Sequence, residues 1–369
     1  MAQCERCGRS DARISAVLGL CAECIRTGDE TLMKQTKEVH ARERRRFGLP
    51  TAPPRTGDGI PCNICRNACQ IGDGEAGYCG IRVNRDGRLS GGTPEAGAVS
   101  WYHDPLPTNC VADWVCPGGT GAGYPRWAHR DGPEVGYTNL AVFYEACSFD
   151  CLFCQNWHYR ERAVSPRWRT SEELAAAADS RTGCICFFGG DPTCQLPHAL
   201  AAARLARKRN PGRILRICWE TNGSMDPPLL DEMLELSLES GGCVKFDLKA
   251  FDAKLHRALC GVPNRRTLEN FRRAAERIQD RPEPAPLVAS TLLVPEYVDT
   301  QEVAAIASFI AQLDVKIPYT LLGFHGDFVM TDLPATSRKH AERCVEAAEA
   351  AGLKRVRIGN VHILGPEPG

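Results

Sequence analysis

Apolar and polar positions along the chain change their pattern near residue 136. Beyond it, short runs rich in β-branched and aromatic residues alternate with stretches of helical spacing. The runs lie at 138–146, 184–189, 213–220, 243–248, 286–294, 316–324 and 354–359 and predict seven strands. Between them, 171–180, 197–209, 227–240, 265–279, 301–313 and 337–352 predict helices. Asp226, followed by two prolines, predicts an N-cap with proline in the first turn. Strand and helix alternating in this way imply parallel strands joined by crossover helices, as a doubly wound sheet or an open (β/α) barrel. In both, the active site lies at the carboxyl ends of the strands. Polar or glycine-rich text follows several strands at that end, at 189–191, 221–223, 247–249 and 325–327.

Before residue 136 apolar periodicity is weak, and Cys, Gly, Pro and Arg are frequent. Such a segment hardly buries a core by itself, and bound metals are expected to hold it together. The expected organisation is a four-cysteine module over 1–30, a linker over 31–59, a Cys-rich subdomain over 60–136 and the α/β domain over 137–369. The basic run at 41–47 reads as a solvated helix face or part of the linker.

Composition narrows the class. Of 369 residues, 43% are hydrophobic and 24% charged, as expected of a globular protein. Forty-five basic residues balance 45 acidic ones, so charge favours neither nucleic acid nor a membrane surface. No run of apolar residues is long enough for a transmembrane helix, and the first residues lack the apolar core of a signal peptide. A cytoplasmic location is expected.

Twenty cysteines are too many for such a chain without a chemical reason. In a reducing compartment they serve metals or catalysis rather than disulfides. Cys4-x2-Cys7-x13-Cys21-x2-Cys24 is a two-knuckle set suited to zinc. Cys62-x2-Cys65-x3-Cys69-x9-Cys79 could hold an auxiliary [4Fe–4S] cluster or a second zinc. Cys110 and Cys116 could be added ligands, a redox pair or buried thiols. Cys184, Cys186, Cys218, Cys243 and Cys344 fall within strand or helix patterns and read as core thiols. Cys194 and Cys260 lie nearer the expected mouth, and His325 is the one histidine just past a strand end; these three are the weak candidates for a catalytic group.

The tightest group, Cys147-x3-Cys151-x2-Cys154, follows the first predicted strand. Three thiolates on one short loop can hold three irons of a cubane cluster and leave the fourth open to a small molecule. A partial zinc site, with His158 as the fourth ligand, is the alternative reading.

This spacing, placed after the first strand of a (β/α) barrel, resembles the signature of radical S-adenosylmethionine (radical SAM) enzymes. CSFDCLFCQNW (147–157), FFGGDPT (187–193), WETNG (219–223) and KFDLKAFD (245–252) are similar to the branch containing pyruvate formate-lyase activating enzyme. The text at 61–82, 255–264, 317–324, 330–337 and 356–365 resembles more closely the radical SAM member of the AmmeMemoRadiSam system. The resemblance implies an open, partial TIM barrel in which Cys147, Cys151 and Cys154 ligate a [4Fe–4S] cluster. It implies that S-adenosyl-L-methionine binds the open iron and contacts Gly189, Gly190, Asp191, Asn222, Asp247 and Lys249. Gly189-Gly190-Asp191 stands at the family's GGE motif, with Asp in place of Glu, and Asp247 and Lys249 match its D-x-K. Glu220, Thr221 and Asp247 match positions that hold a monovalent cation in relatives, although Lys245 stands beside them.

The activity so implied is an anaerobic oxidoreductase. An electron donor such as ferredoxin or flavodoxin reduces the cluster. S-adenosylmethionine is cleaved to a 5′-deoxyadenosyl radical, which abstracts hydrogen from a small-molecule or protein substrate. One alternative is an activating enzyme for a glycyl-radical protein, although the ferredoxin-like C-x2-C-x2-C-x3-C sets of such enzymes are absent from the sequence. The other is a non-catalytic iron–sulfur or zinc scaffold or electron-transfer protein.

Overall fold

The computed structural model describes residues 1–367. Nine strands form its main sheet: β1 (Ala96–Pro105), β2 (Thr138–Tyr144), β3 (Trp168–Thr170), β4 (Thr182–Gly189), β5 (Arg216–Thr221), β6 (Val244–Asp247), β7 (Leu287–Leu293), β8 (Tyr319–Gly323) and β9 (Val356–Gly359). Their order is β9-β8-β7-β6-β5-β4-β2-β1-β3. The seven predicted strands are all present, side by side in chain order and mutually parallel. β9 pairs only with β8, so the sheet is an open partial barrel.

Helices α1 (Glu30–Arg46), α2 (Ser171–Ala176), α3 (Leu196–Arg209), α4 (Pro227–Ser240), α5 (Ala253–Cys260), α6 (Arg265–Ala275), α7 (Thr300–Leu313) and α8 (Arg338–Ala350) accompany the sheet. The six predicted helices are α2 to α4 and α6 to α8. Asp226 does stand at the N-cap of α4, but its carboxylate makes no capping bond. It pairs instead with Arg266 at 3.3 Å.

Four of these elements were not predicted: α1, α5, β1 and β3. α1 covers much of the expected linker. β1, whose text is AGAVSWYHDP, pairs antiparallel with β2 from Val99 to Pro105, so part of the Cys-rich stretch builds the main sheet. Its small residues have a packing reason. A Cβ on Gly97 would lie 2.7 Å from the ring of His198. That ring in turn bonds the Tyr144 hydroxyl at 2.8 Å.

Alternation along the strands separates two faces. Ile185, Phe187, Ile217, Trp219, Val244 and Phe246 belong to the large core shared with the helices. Cys184, Cys186, Cys218, Cys243 and Val288 face the concave side. There Leu106, Ala112 and Val115 of the 105–118 segment cover them.

His256 of α5 is buried, and its Nδ1 meets the Val262 carbonyl at 2.6 Å. Burial lowers it to about 4, which outweighs that hydrogen bond. The folded chain therefore keeps the ring neutral where the unfolded chain, titrating near 6.5, takes up a proton. Its contribution is complete above pH 6.5 and is lost as pH falls toward 4, by up to roughly 1.4 kcal/mol per unit. Denaturant unfolding should lose stability less steeply from pH 7 to 5 in His256→Asn than in the parent. Equal slopes would remove His256 from the account.

Candidate functional site

The loop after β2 carries Cys147, Cys151 and Cys154, the first two buried and the third partly open. Two backbone bonds tie this loop to the end of α5, from the Asp150 amide to the Cys260 carbonyl at 2.9 Å and from the Leu152 amide to the Leu259 carbonyl at 3.0 Å. Cys260 is fully buried with its thiol against Cys151. That contact, and then burial, push the Cys151 thiol well up; burial does the same for Cys147 and Cys154. A bound cation is what would keep three such thiols as thiolates.

The three sulfurs are more widely spaced than the set at the start of the chain. Among the described residues, only Cys4, Cys7, Cys21 and Cys24 place three or more ligand atoms within 4.8 Å of one another. Neither the triplet nor the triplet with His158 meets that spacing. Thiolates that bind separate irons lie farther apart, so the triplet fits a polynuclear cluster.

The neighbouring strand ends close on this loop. Asp191 follows β4 and is buried. Its carboxylate accepts from the Asn222 amide at 2.6 Å, the Thr193 amide at 2.8 Å and the Thr221 hydroxyl at 3.2 Å. Burial raises this carboxyl and the hydrogen bonds offset only part of that. Asp191 thus clamps the β4 and β5 ends together. Asn222 then reaches the cysteine loop, its side-chain amide 2.9 Å from the Ser148 hydroxyl and 3.7 Å from the Cys147 sulfur.

Gly189 and Gly190 also have a backbone reason. Gly189 has φ +103°. A Cβ on Gly190 would lie 2.4 Å from the Ala146 carbonyl, so Gly190→Val would disturb the cysteine loop whether or not a cofactor binds. Both glycines line a cavity of about 510 Å³ with Gln155, Asn156 and His158.

Across the mouth, Lys249 pairs with Asp247 at 2.5 Å and lies 6.0 Å from the Phe153 ring centre. Asp247 also accepts from the Ser290 hydroxyl at 2.9 Å. The ammonium of Lys245 is 2.9 Å from Glu220, so this side chain already supplies positive charge where the resemblance implied a monovalent cation. His325 is half-exposed and 3.6 Å from Asp327.

Sequence reasoning missed what holds the cysteine loop from behind. Asp150, inside the triplet, is fully buried. It meets His40 at 2.9 Å, Arg160 at 3.2 Å and Arg44 at 3.3 Å. Burial alone would raise its carboxyl. The His40 bond and the two guanidinium charges outweigh burial and hold it well below the usual range. His40 and Arg44 both come from α1, so Arg44 of the basic run is buried rather than solvated.

The second cysteine set docks beside the same loop. Asn67 donates to the Ser148 carbonyl at 2.8 Å, and the Arg66 amide to the Ser224 carbonyl at 2.8 Å. Cys62, Cys65, Cys69 and Cys79 surround a small void, and Cys194 joins them as a fifth thiol. A hydrogen bond from Cys194 pulls Cys79 down to about 6. Cys4, Cys7, Cys21 and Cys24 form a separate compact set with Cys7 and Cys21 sulfurs 3.9 Å apart. The remaining strand-region cysteines are buried core thiols, as expected, and they also border a cavity. Cys184, Cys186, Cys218 and Cys243 line a cavity of about 540 Å³ within the half-barrel.

Residues 141–310 match the Radical SAM superfamily. The chain is 25% identical over 309 residues to the uncharacterized protein MJ0808 of Methanocaldococcus jannaschii, covering 82% of this chain and 81% of that one. It is 33% identical over 168 residues to the isethionate sulfite-lyase activating enzyme of Desulfovibrio desulfuricans, covering 45% and 49%. It is 27% identical over 147 residues to the pyruvate formate-lyase 1-activating enzyme of Escherichia coli, covering 38% and 55%. The chain thus spans about half the length of these two activating enzymes. A solved domain of a pyruvate-formate lyase-activating enzyme from Bacteroides vulgatus aligns at TM-score 0.39 and 22% identity, covering 48% of this chain and 99% of that one. No helix of the described residues is long and apolar enough to cross a membrane.

Proposed function

Given that residues 141–310 form a Radical SAM domain and the chain is an enzyme of that family, we propose that Cys147, Cys151 and Cys154 hold a [4Fe–4S] cluster at which S-adenosylmethionine is cleaved reductively. When bound, the cluster and S-adenosylmethionine supply a 5′-deoxyadenosyl radical for hydrogen abstraction under anaerobic conditions, with ferredoxin or flavodoxin as reductant. The observation that carries this reading is the convergence of three thiols, the Asp191–Asn222 clamp and the Asp247–Lys249 pair on one end of the half-barrel.

The chain's own residues have separable tasks. Asp191 fixes Asn222, and Asn222 fixes the loop at Cys147 and Ser148. Lys249 offers an ammonium at the mouth, suited to the carboxylate of the methionine moiety. The close backbone approach that Gly189 and Gly190 permit suits its amino group. The similarity to activating enzymes favours a protein substrate; glycyl-radical formation detected by electron paramagnetic resonance on a candidate partner distinguishes this from a small metabolite.

Reconstituted anaerobic protein with dithionite and S-adenosylmethionine should form 5′-deoxyadenosine and methionine; none above the protein-free control would refute the reading. Lys249→Ala should weaken S-adenosylmethionine binding about ten- to a hundredfold, since a charge-assisted contact is worth roughly 1.5–3 kcal/mol. Calorimetry on cluster-loaded protein measures this, and parent affinity would remove Lys249 from the pocket.

For Cys4, Cys7, Cys21 and Cys24 we propose zinc. Zn–S bonds of about 2.3 Å in a tetrahedron place sulfurs close to 4 Å apart, as Cys7 and Cys21 are. Metal analysis should find one zinc per chain, absent from Cys4→Ser/Cys21→Ser, with 5′-deoxyadenosine formation largely kept. Iron in its place would overturn the assignment.

A further inference from the structure

The concave face of the half-barrel carries a row of thiols that the proposed function does not use. Cys186 of β4 stands directly opposite Cys218 of β5 in the parallel register. Trp219 stands opposite Val244, which puts Cys218 and Cys243 side by side one step earlier. β4, β5 and the residue leading into β6 therefore present one cysteine each at the same level, on the same face, at strand spacing of about 4.8 Å. Cys110 hangs over this row from the segment that covers the concave side. The cavity between them, about 540 Å³, is far larger than one ion.

Lys245 places a positive charge against these sulfurs. It is buried and has three donors to satisfy. Its ammonium meets Glu220 at 2.9 Å, the Cys186 sulfur at 3.0 Å and the Cys110 sulfur at 3.2 Å. A neutral thiol is a weak acceptor and a poor partner for a buried ammonium, whereas a thiolate is a strong one. Among the described residues no carboxylate or carbonyl takes the two remaining donors.

We propose that Cys186, Cys218 and Cys243, with Cys110 as the fourth ligand, bind a second iron–sulfur cluster inside the half-barrel. Four thiolates are the usual ligand set of such a cluster. A single tetrahedral ion does not fit, because the ligand atoms of this group, unlike those of the Cys4 set, do not lie within 4.8 Å of one another. Hydrogen bonds from Lys245 to two ligating sulfurs are the outer contacts that tune such a centre. Cys186 precedes Gly189 by three residues on one strand, which places this centre about 10 Å below the cofactor loops. A substrate lying between the two would contact both. The site shares no residue with the cofactor site, so its failure and that of the proposed function are distinguishable.

The test compares iron and acid-labile sulfide per chain in anaerobically reconstituted, full-length protein. Cys186→Ser/Cys218→Ser/Cys243→Ser should lower both by one cluster's worth, in the parent and again in the Cys147→Ala/Cys151→Ala/Cys154→Ala background. Cys344→Ser, a buried thiol on α8, serves as control and should lower neither. Unchanged iron and sulfide in the row variant overturn the proposal. So does zinc without sulfide at these cysteines, or a Cys218–Cys243 disulfide found by mass spectrometry in iron-loaded protein. Should the triple variant not fold, Cys186→Ser alone replaces one sulfur ligand by oxygen. It should alter the electron paramagnetic resonance spectrum of one cluster and leave that of the Cys147 centre intact; a spectrum identical to the parent's overturns the assignment.

Discussion

Replacing Cys147, Cys151 and Cys154 with Ala should abolish formation of 5′-deoxyadenosine and remove one cluster's worth of iron and sulfide. The loss is expected to be complete rather than partial. These three thiols are the ones on the loop that Asn222 and Lys249 face. The fold should survive, because the loop is held by bonds that do not involve the three sulfurs. The Asp150 and Leu152 amides remain on α5, and the Ser148 carbonyl remains on Asn67. Unchanged far-ultraviolet circular dichroism would separate loss of the cluster from loss of the chain. Cys260→Ser is the matching control. Its thiol touches Cys151 yet stands outside the triplet, so this variant should keep both iron and activity. Equal loss in Cys260→Ser, or retained 5′-deoxyadenosine in the triple variant, would contradict the ligand assignment.

The parts of this site that could be read from sequence are those encoded locally. A cysteine loop directly after a strand, and polar text directly after four later strands, need only chain order and the parallel-strand rule to be brought together. What sequence could not supply depends on what lies opposite. Cys184, Cys186, Cys218 and Cys243 occur in runs that are apolar on both faces, and alternation alone does not say which face meets helices and which meets a cavity. The answer requires the 105–118 segment, whose pattern gives no hint that it covers the sheet. β1 was hidden partly because its run is broken at Gly97, where the ring of His198 leaves no room for a Cβ. Helix α1 was hidden differently. Its basic stretch has the composition of a solvated face, and only a buried carboxylate more than a hundred residues away turns Arg44 inward.

That carboxylate is the basis of the second large effect. Asp150→Ala should destabilise the protein by about 3–5 kcal/mol, the usual range when one partner of a buried ionic group is removed. Arg44 and Arg160 are both buried, and neither can turn to water when the carboxylate is gone. Arg44 keeps the Tyr78 and Pro50 carbonyls, and Arg160 keeps a long contact of 3.4 Å to the Cys151 carbonyl. Neutral carbonyls do not replace the lost charge, so two guanidinium groups would remain uncompensated in a dry interior. His40 would also lose its Nδ1 partner while its Nε2 stays on the Ala258 carbonyl. Because Asp150 lies between Cys147 and Cys151, the damage should reach the metal loop. Iron content should fall together with stability, although no ligand has been changed. Asp150→Asn, which keeps an acceptor without the charge, should lie between Ala and the parent on both measures. Denaturant unfolding of anaerobic, cluster-loaded protein gives the first measure and iron per chain the second. A loss below about 1 kcal/mol in Asp150→Ala would mean that α1 and the cysteine loop are held together by packing rather than by this buried charge network.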